Sequence, residues 1–139
     1  MINIGTDITA VRRIAALRAK YGVKFLKRIL KKSERSSTLR DESIAGVYAA
    51  KEALSKALGT GIGAEFGFKD AKIYKDALGA PHLKIRKKIR KKFHIKSTSL
   101  SITHDANVAI AVVALKLNKP RSKTSRRRLF FSSGWIFGL

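Results

Sequence analysis

The segment AAKEALSKALGTG, Ala49 to Gly61, predicts a helix that ends in a glycine-rich turn. Small residues continue upstream of it, so the helix from Ile44 to Leu58 is thin enough to pack closely against a neighbouring element. Asp41 or Ser43 is a suitable residue to start this helix. We therefore expect it to be the central helix of the fold.

Charged side chains stand within this apolar helix, at Lys51, Glu52 and Lys56. Glu52 and Lys56 are four residues apart and therefore lie on one face of the helix. The turn that follows offers backbone N–H groups that no bulky side chain shields, at Gly59, Thr60, Gly61, Ile62 and Gly63. A carboxylate, an ammonium group and open backbone donors together suit a phosphate and its divalent metal.

The same residues also have a purely structural interpretation. A Glu–Lys pair at this spacing is usually a solvated helix face, and Gly59 alone is an ordinary helix C-terminal residue. Gly61 and Gly63 favour the functional interpretation, because alternate glycines indicate unusual backbone angles or a close approach. The segment is neither a Walker motif nor a dinucleotide-binding fingerprint.

Upstream of the central helix, the sequence predicts one strand and two helices. Met1–Thr6 is a short apolar strand, and Asp7 or Thr9 caps a first helix that begins at Asp7. The pair Tyr21-Gly22 ends this helix, and a second one follows around Phe25–Leu30.

Downstream of the glycine turn, the sequence predicts four strands. Phe66–Tyr74 and Pro81–Ile85 form a hairpin, and Ser97–Thr103 is a further strand. Asn107–Leu117 is apolar on both faces and is therefore a buried central strand, with His104–Ala106 as the tight turn into it. Strands that follow one another without intervening helices indicate an α+β fold, a compact single domain with a mostly antiparallel sheet packed on helices.

Length and composition indicate one domain followed by a tail. The chain has 139 residues and no cysteine, which allows one core and excludes disulfides and thiolate metal sites. Residues 1–117 form the predicted domain, and residues 118–139 a disordered basic tail. The tail is either a tether to an anionic partner with an aromatic anchor or, as the favoured interpretation, an accidental extension. No leader pattern and no membrane span is evident, so we expect a cytoplasmic protein.

The net charge of +22 demands an anionic partner or a role in solubility. Eight of the cations lie in KIRKKIRKKFHIK, Lys84–Lys96, and seven more in Lys116–Arg128. Charge alone leaves nucleic acid, a membrane, an acidic protein or no dedicated partner open. Nucleic-acid modules interleave aromatic and basic residues, whereas the basic run contains only Phe93.

Three of the nine carboxylates lie in apolar settings or beside a histidine, namely Asp7, Glu52 and Asp105. The other six are expected in polar or exposed surroundings. Asp7 alone is most simply a helix cap and Glu52 a salt-bridge partner, but together they supply the two oxygen ligands that Mg²⁺ commonly takes from a protein. His104 is either a turn residue or a donor to a phosphate. No nucleophile, zinc or P-loop pattern is present, which favours phosphoryl-type transfer over protease or NTPase chemistry.

Four separated blocks of the chain match one known family in order and spacing. They are IGTDI at Ile4–Ile8, AGVYAAKEALSKALGTGIG at Ala45–Gly63, YKDALGAPHL at Tyr74–Leu83 and SLSITHD at Ser99–Asp105. These blocks resemble the holo-[acyl-carrier-protein] synthases, the small bacterial type of 4′-phosphopantetheinyl transferase. The resemblance covers about residues 2 to 117 and excludes the tail.

The resemblance implies the 4′-phosphopantetheinyl transferase fold and its activity. Such an enzyme moves the phosphopantetheine arm of coenzyme A onto a serine of apo acyl carrier protein in support of fatty acid biosynthesis, and it releases adenosine 3′,5′-bisphosphate. Asp7 and Glu52 match the Mg²⁺ ligands of the family. Glu52, directly or through a water on the metal, would help to remove the serine proton, and Lys56 would neutralise the transferring phosphate. The positions that match coenzyme A contacts are Gly59, Thr60, Gly61, Ile62, Lys75, Pro81, His104 and Asp105.

The resemblance also implies partners. In the family, each site is built between neighbours of a homotrimer, so the glycine loop and the nucleotide contacts would come from different subunits. Arg13 matches a basic position that meets the acidic helix of the carrier protein, and Lys20 is a neighbour of it. Val47 stands where many relatives have Arg, which leaves one phosphate or carrier contact in doubt. A functional nucleic-acid partner is not expected, and a non-catalytic scaffold of the same fold is a further alternative.

Overall fold

The computed structural model describes residues 1–36 and 39–118, and it begins with a strand longer than the sequence predicts. Strand β1 runs from Ile2 to Ala10, and helix α1 from Val11 to Tyr21. The polar residues Asp7 and Thr9 are buried, whereas the isoleucines beside them are exposed. Such alternation is typical of a strand with one buried face. The prediction that the first helix begins at Asp7 is therefore wrong, and neither Asp7 nor Thr9 caps it.

Two further helices follow close to their predicted places. Helix α2 runs from Val23 to Ile29, after Gly22 with a φ of 57° has ended α1. Helix α3 runs from Asp41 to Leu58, which confirms the central helix; Asp41, one of the two predicted starts, is its first residue, and Arg40 stands at the N-cap. A short 3₁₀ turn, Lys32–Glu34, lies between α2 and α3. No helix in the described part of the chain is long and apolar enough to cross a membrane.

The main sheet has three antiparallel strands. Strands β4, Ile95–Asp105, and β5, Val108–Leu117, form the predicted hairpin, and the order across the sheet is β1-β5-β4. Because β4 continues to Asp105, the tight turn shifts to Ala106, which has a φ of 53°. Strand β5 is central but buried on one face only, since Ile110 and Val112 are exposed. The expectation that both of its faces are covered is thus wrong within the described residues.

Helix α3 lies unusually close to β1, at Gly5. A Cβ atom on Gly5 would lie 1.9 Å from the carbonyl oxygen of Ala53 and 2.6 Å from the amide nitrogen of Ala57. The small residues of α3 therefore meet the backbone of the strand directly, which leaves no space for a side chain. This contact places Asp7, two residues along β1, beside the C-terminal half of α3.

A separate hairpin and a short basic helix complete the fold. Strand β2 spans Ala71–Lys75 and strand β3 spans Pro81–Ile85. The strand predicted from Phe66 begins only at Ala71, because Phe68–Asp70 forms a 3₁₀ turn. Helix α4, Lys87–Lys92, lies inside the basic run and was not predicted. The arrangement confirms the α+β class with antiparallel sheets packed on helices. The predicted disorder of the tail lies outside the described residues, apart from Asn118.

Candidate active site

Asp7 occupies the buried face of β1 beside Lys56 of α3. Its Oδ1 lies 3.2 Å from Lys56 Nζ, and the Asp7 side chain is 4% exposed. Its other oxygen, Oδ2, accepts a hydrogen bond of 2.7 Å from the hydroxyl of Thr9. Residues two apart on a strand lie on the same face of the sheet, so Thr9 and Asp7 are neighbours. The hydrogen bond from Thr9 therefore fixes the rotation of the Asp7 carboxylate. Asp7 is therefore held in one orientation, facing α3.

Glu52 lies close to the Asp7–Lys56 pair, and its surroundings disfavour a negative charge on its carboxyl group. Burial and, after it, the negative charge of Asp7 raise the pKa of the Glu52 carboxyl. The Tyr48 hydroxyl, one turn earlier on α3, is hydrogen-bonded to Glu52. Arg13 of α1 lies 3.5 Å from that hydroxyl and stacks 5.6 Å from the ring centroid of Tyr48. Lys56 and Arg13 offset only part of the repulsion, because the net shift of the Glu52 pKa remains upward.

This donor set fits a divalent cation that takes few ligands from the protein. Two carboxylates face one another in a half-buried setting, and a cation between them would remove the repulsion that raises the Glu52 pKa. No group of three or more possible metal-ligating side chains occurs in residues 1–36 and 39–118. A pair of carboxylates with free positions for water and phosphate suits Mg²⁺ better than a metal that needs a full protein cage.

The glycine loop offers fewer open donors than the sequence suggests. The N–H groups of residues 59–61 donate to carbonyls in the last turn of α3, and that of Gly63 donates to a carbonyl three residues on. Only the Ile62 N–H lacks such an acceptor among the described residues. The expectation of five open donors is corrected, because the carbonyls at a helix C-terminus require partners. Positive φ angles occur at Gly59, 82°, and Gly61, 65°, but not at Gly63.

Lys51 is a structural residue, although it stands beside Glu52 in the sequence. Its ammonium group is fully buried and donates to the Ile29 carbonyl at 2.8 Å and to Glu34 Oε1 at 2.6 Å. Glu34 also accepts the backbone N–H groups of Lys31 and Ile73. Burial lowers the pKa of Lys51, and Glu34 opposes that shift. Glu34 was expected in polar or exposed surroundings; its partners are polar, but its side chain is only 2% exposed.

Lys75 and Pro81 are brought together at the turn end of the β2–β3 hairpin. They are directly opposite each other across the two strands. The turn between them is held by Asp76, which accepts the N–H groups of Leu78 and Ala80 and is bonded to His82 at 2.8 Å. The hydrogen bond from His82 lowers the pKa of Asp76. Among the described residues, no hydrogen bond or ion pair joins Lys75 or Pro81 to Asp7, Glu52 or Lys56.

His104 and Asp105 lie at the end of β4, on another side of α3. A Cβ atom placed on Gly46 would lie 3.1 Å from His104 Nε2, so the imidazole packs over this glycine. Glu52 is six residues further on, which places it about 120° around α3 and about 9 Å along its axis from Gly46. Within one chain, His104 therefore does not face the Asp7–Glu52 pair. Asp105 Oδ1 accepts the N–H of Ala106 in the turn.

The predicted docking residues lie on α1, beside a groove. Arg13 contacts Tyr48 as described, and the exposed Lys20 lies 5.2 Å from the ring centroid of Tyr21. The open groove has a volume of about 610 Å³ and is lined by apolar and aromatic side chains of α1, α2 and α3, with Lys24 and Arg28. Tyr48 is one of its lining residues, so the groove adjoins the Asp7–Glu52 site.

Two residues of this site were missed from the sequence, Tyr48 and Thr9. Tyr48 precedes Glu52 by four residues on a helix, and this spacing alone could have identified it. Thr9 was missed because Asp7 was assigned to a helix start. Strand alternation would have placed Thr9 next to Asp7.

Comparisons with known proteins identify the family of this chain. Residues 3–113 match the family described as the 4′-phosphopantetheinyl transferase superfamily. The holo-[acyl-carrier-protein] synthase of Campylobacter fetus subsp. fetus is 52% identical over 113 residues, which cover 81% of this chain and 98% of that protein. A crystal structure of the Helicobacter pylori holo-[acyl-carrier-protein] synthase in complex with coenzyme A superposes with a TM-score of 0.79 at 45% identity, covering 81% of this chain and 99% of that one. The Bacillus anthracis structure in complex with CoA (3′,5′-ADP) gives 0.72 at 37% identity, covering 84% and 96%.

Proposed function

Because this chain belongs to the 4′-phosphopantetheinyl transferase superfamily and is a holo-[acyl-carrier-protein] synthase, we propose that it transfers the 4′-phosphopantetheine group of coenzyme A to a serine of apo acyl carrier protein. The serine oxygen forms a bond to the phosphorus that carries the pantetheine arm. The bond from this phosphorus to the bridging oxygen of the pyrophosphate breaks, and adenosine 3′,5′-bisphosphate leaves. The serine proton passes to Glu52.

The observation that carries this proposal is the grouping of Asp7, Glu52 and Lys56 where β1 meets α3, with Lys56 Nζ 3.2 Å from Asp7 Oδ1. An ordinary glutamate is a weak base at neutral pH, and burial, the larger cause of the raised Glu52 pKa, makes this carboxyl accept a proton more readily. The Tyr48 hydroxyl holds Glu52 in place while the proton is transferred. Lys56, fixed by Asp7 at 3.2 Å, lies where it can offset charge on the transferring phosphate.

Asp7 and Glu52 are the residues that would hold Mg²⁺, as the fit of the donor set supports. When bound, this ion supplies charge neutralisation for the pyrophosphate oxygens. The Ile62 N–H is available to a phosphate oxygen, whereas Gly59, Thr60 and Gly61 shape the loop by closing the end of α3.

We place the remaining coenzyme A contacts, Lys75, Pro81, His104 and Asp105, on a neighbouring subunit of a homotrimer. Two observations support this arrangement. The imidazole of His104 lies on a different side of α3 from Glu52, and the outer face of the main sheet is apolar and open. Ile2 and Ile4 on that face are 65% and 66% exposed. Such a patch is typical of a protein–protein interface.

The carrier protein is proposed to dock on α1 and the groove beside it. An acidic helix would meet Arg13 and Lys20, while its apolar residues enter the groove lined by Leu17 and Tyr48. The resemblance adds two elements that no contact in the fold tests, namely service to fatty acid biosynthesis and a cytoplasmic location.

Incubation of the protein with coenzyme A, Mg²⁺ and apo carrier protein tests the transfer. We expect the intact mass of the carrier to rise by one phosphopantetheine, and no rise when Mg²⁺ is chelated. Asp7→Ala should abolish the gain without unfolding the protein, whereas the exposed Glu42→Gln on α3 should leave it unchanged. A wild-type protein that never modifies any carrier, but binds RNA in a salt-sensitive manner, would contradict the proposal.

The homotrimer is tested separately by analytical ultracentrifugation. We expect the mass of three chains for the wild type and of one chain for Ile4→Glu, because a charge on the apolar sheet face opposes burial. Ala16→Glu, an exposed change on α1, should leave the mass at three chains. A monomeric wild type with full transfer activity would rule out a shared site.

Lys20→Glu tests the docking surface more cleanly than Arg13→Glu, because Arg13 also contacts Tyr48. The KM for the carrier should rise while kcat changes little. The KM for coenzyme A serves as the internal control and should stay the same. Equal losses in kcat would count against a docking role for Lys20.

A further inference from the structure

Tyr48 connects the proposed docking helix to the proposed base. Its side chain lies almost wholly inside the fold and is only 9% exposed. The ring packs on Phe68, with the ring centroids 5.2 Å apart, and the Arg13 guanidinium lies 5.6 Å from the centroid of the Tyr48 ring. These contacts restrict the rotation of the ring and therefore the position of its hydroxyl group.

The Tyr48 hydroxyl has a polar partner on each of two helices. Arg13 Nη2 of α1 donates to the hydroxyl oxygen at 3.5 Å, and the same hydroxyl is hydrogen-bonded to the Glu52 carboxyl on α3. An arginine side chain only donates hydrogen bonds, and an ionised carboxylate only accepts them. The hydroxyl therefore accepts from Arg13 and donates to Glu52, which gives this chain of three side chains a single direction.

Arg13 stands between the surface of the protein and this hydrogen-bonded chain. It is half-buried, so one part of the side chain contacts Tyr48 while another part remains accessible to a docked protein. Tyr48 and Glu52 are four residues apart on α3, which places their side chains on one face of the helix. An event at the surface of α1 can thus reach Glu52 through two contacts.

We infer that Arg13 has a second role besides docking, namely that Arg13 and Tyr48 are positioning residues that orient the Glu52 carboxylate. This role rests on the proposed function, since Glu52 is the base of that reaction. Arg13 and Tyr48 act through Glu52, and neither of them takes the serine proton. A carrier protein that binds Arg13 also restrains Tyr48, so Glu52 is best oriented when the carrier is in place.

Tyr48→Phe tests the hydroxyl, because a phenyl ring keeps the contacts with Phe68 and Arg13. The measurement is the single-turnover rate of phosphopantetheine transfer at saturating carrier protein, together with the KM for the carrier. We expect the rate to fall about tenfold, since a misplaced catalytic group loses much of its effect, while the KM changes little. Circular dichroism should show a folded protein. Tyr74→Phe, on the β2–β3 hairpin, is the matched control and should keep the wild-type rate.

Arg13→Lys tests the first contact of the chain at constant charge. Lysine keeps the positive charge for the carrier but lacks the planar group that stacks on an aromatic ring. We expect about a threefold loss in the single-turnover rate, smaller than for Tyr48→Phe because a contact of 3.5 Å is long for a hydrogen bond. In the Tyr48→Phe background, Arg13→Lys should have no further effect on the rate, because its contact with Glu52 through the hydroxyl is already removed.

Three outcomes would overturn this role for Arg13 and Tyr48. They are a wild-type rate for Tyr48→Phe, losses from the two changes that are independent of each other, or a loss confined to the KM for the carrier. The last result would make both residues docking residues only. A wild-type protein that modifies no carrier contradicts the proposed function itself, so the two failures are distinguishable.

Discussion

Lys51 and Glu52 are neighbours in the sequence, but each belongs to a different kind of charged cluster. Lys51 is fully buried, and its cluster is complete. Glu34 accepts hydrogen bonds from the Lys51 ammonium group and from two backbone N–H groups. Glu52 is half-buried, and its cluster is incomplete, since it faces the like charge of Asp7. From this difference we expect that partner satisfaction, more than charge or burial, separates structural from functional ionisable residues on α3.

The two clusters also differ in what they connect. The Lys51–Glu34 pair joins α3 to the end of α2 and, through the Ile73 N–H, to strand β2. The Glu52 cluster joins α3 to β1 through Lys56 and Asp7. One face of α3 therefore holds the molecule together, while the adjacent face brings the like charges of Asp7 and Glu52 close to each other.

The largest expected effect is on catalysis by Glu52→Gln. The amide keeps the size and the contact with Tyr48 but cannot take a proton, so kcat/KM should fall by about 10²- to 10⁴-fold. The melting temperature at neutral pH should stay equal or rise, because the repulsion with Asp7 is removed. Carrier-modification kinetics and thermal unfolding measure the two results. If Glu52→Gln strongly destabilised the protein, Glu52 would be a structural residue like Lys51, and the two clusters would not differ as described.

Lys51→Met should have the opposite pattern. It leaves Glu34 buried without its charged partner, which typically costs about 3–5 kcal/mol in the free energy of unfolding. Urea denaturation measures this loss, and the exposed Lys27→Met on α2 is the control. Folded protein at low temperature should still modify the carrier. Intact stability with lost activity would make Lys51 a catalytic residue instead.

Thr9→Val sharpens the comparison at the Asp7 end. The valine keeps the β-branched shape but removes the hydrogen bond to Asp7 Oδ2, which typically costs about 1 kcal/mol. Without this restraint, Asp7 should bind a divalent ion several-fold more weakly, as titration with Mn²⁺ followed by electron paramagnetic resonance would measure. Thr9→Ser should restore most of the affinity. If both variants bind Mn²⁺ like the wild type, Thr9 does not orient the carboxylate.

The smallest expected effect is a pH dependence of stability. Since the folded state raises the Glu52 pKa above 4.5, it retains a proton that the unfolded chain has already lost. Stability should therefore fall as pH rises from 4.5 through the raised value, and level off above it. Denaturation of the wild type and Glu52→Gln across this range isolates the contribution. If the wild type instead gained stability relative to Glu52→Gln as the pH rises, the predicted direction of the Glu52 pKa shift would be wrong.

The sequence predicted the elements whose signals are local. Helix α3 has a small-residue pattern and a glycine cap, and the hairpin of β4 and β5 has apolar strands around a short turn. Asp7 was predicted at a helix start because the local sequence fits two interpretations. The residue could cap a helix, or it could occupy the buried face of a strand. Only pairing of β1 with β5 along its whole length distinguishes them.

The least predictable residue was Glu34. It lies in a polar connector, and nothing in its neighbours along the chain indicates burial. Its environment is created by α3 and β2, which are distant in sequence and meet around it. Glu52 and Lys56 were identified because helix spacing and the family blocks coincide there, whereas the subunit arrangement of the coenzyme A contacts stays a prediction.

The close approach at Gly5 has a consequence for any mutational scan of this enzyme. No side chain fits between β1 and α3 at this position, so every substitution would score as inactive. Gly5 has no side chain that could act on a substrate, and its mutational profile would still match that of a catalytic residue. Measurement of protein abundance alongside activity would distinguish them, because Gly5 variants would vanish from the cell while Glu52 variants accumulate in full.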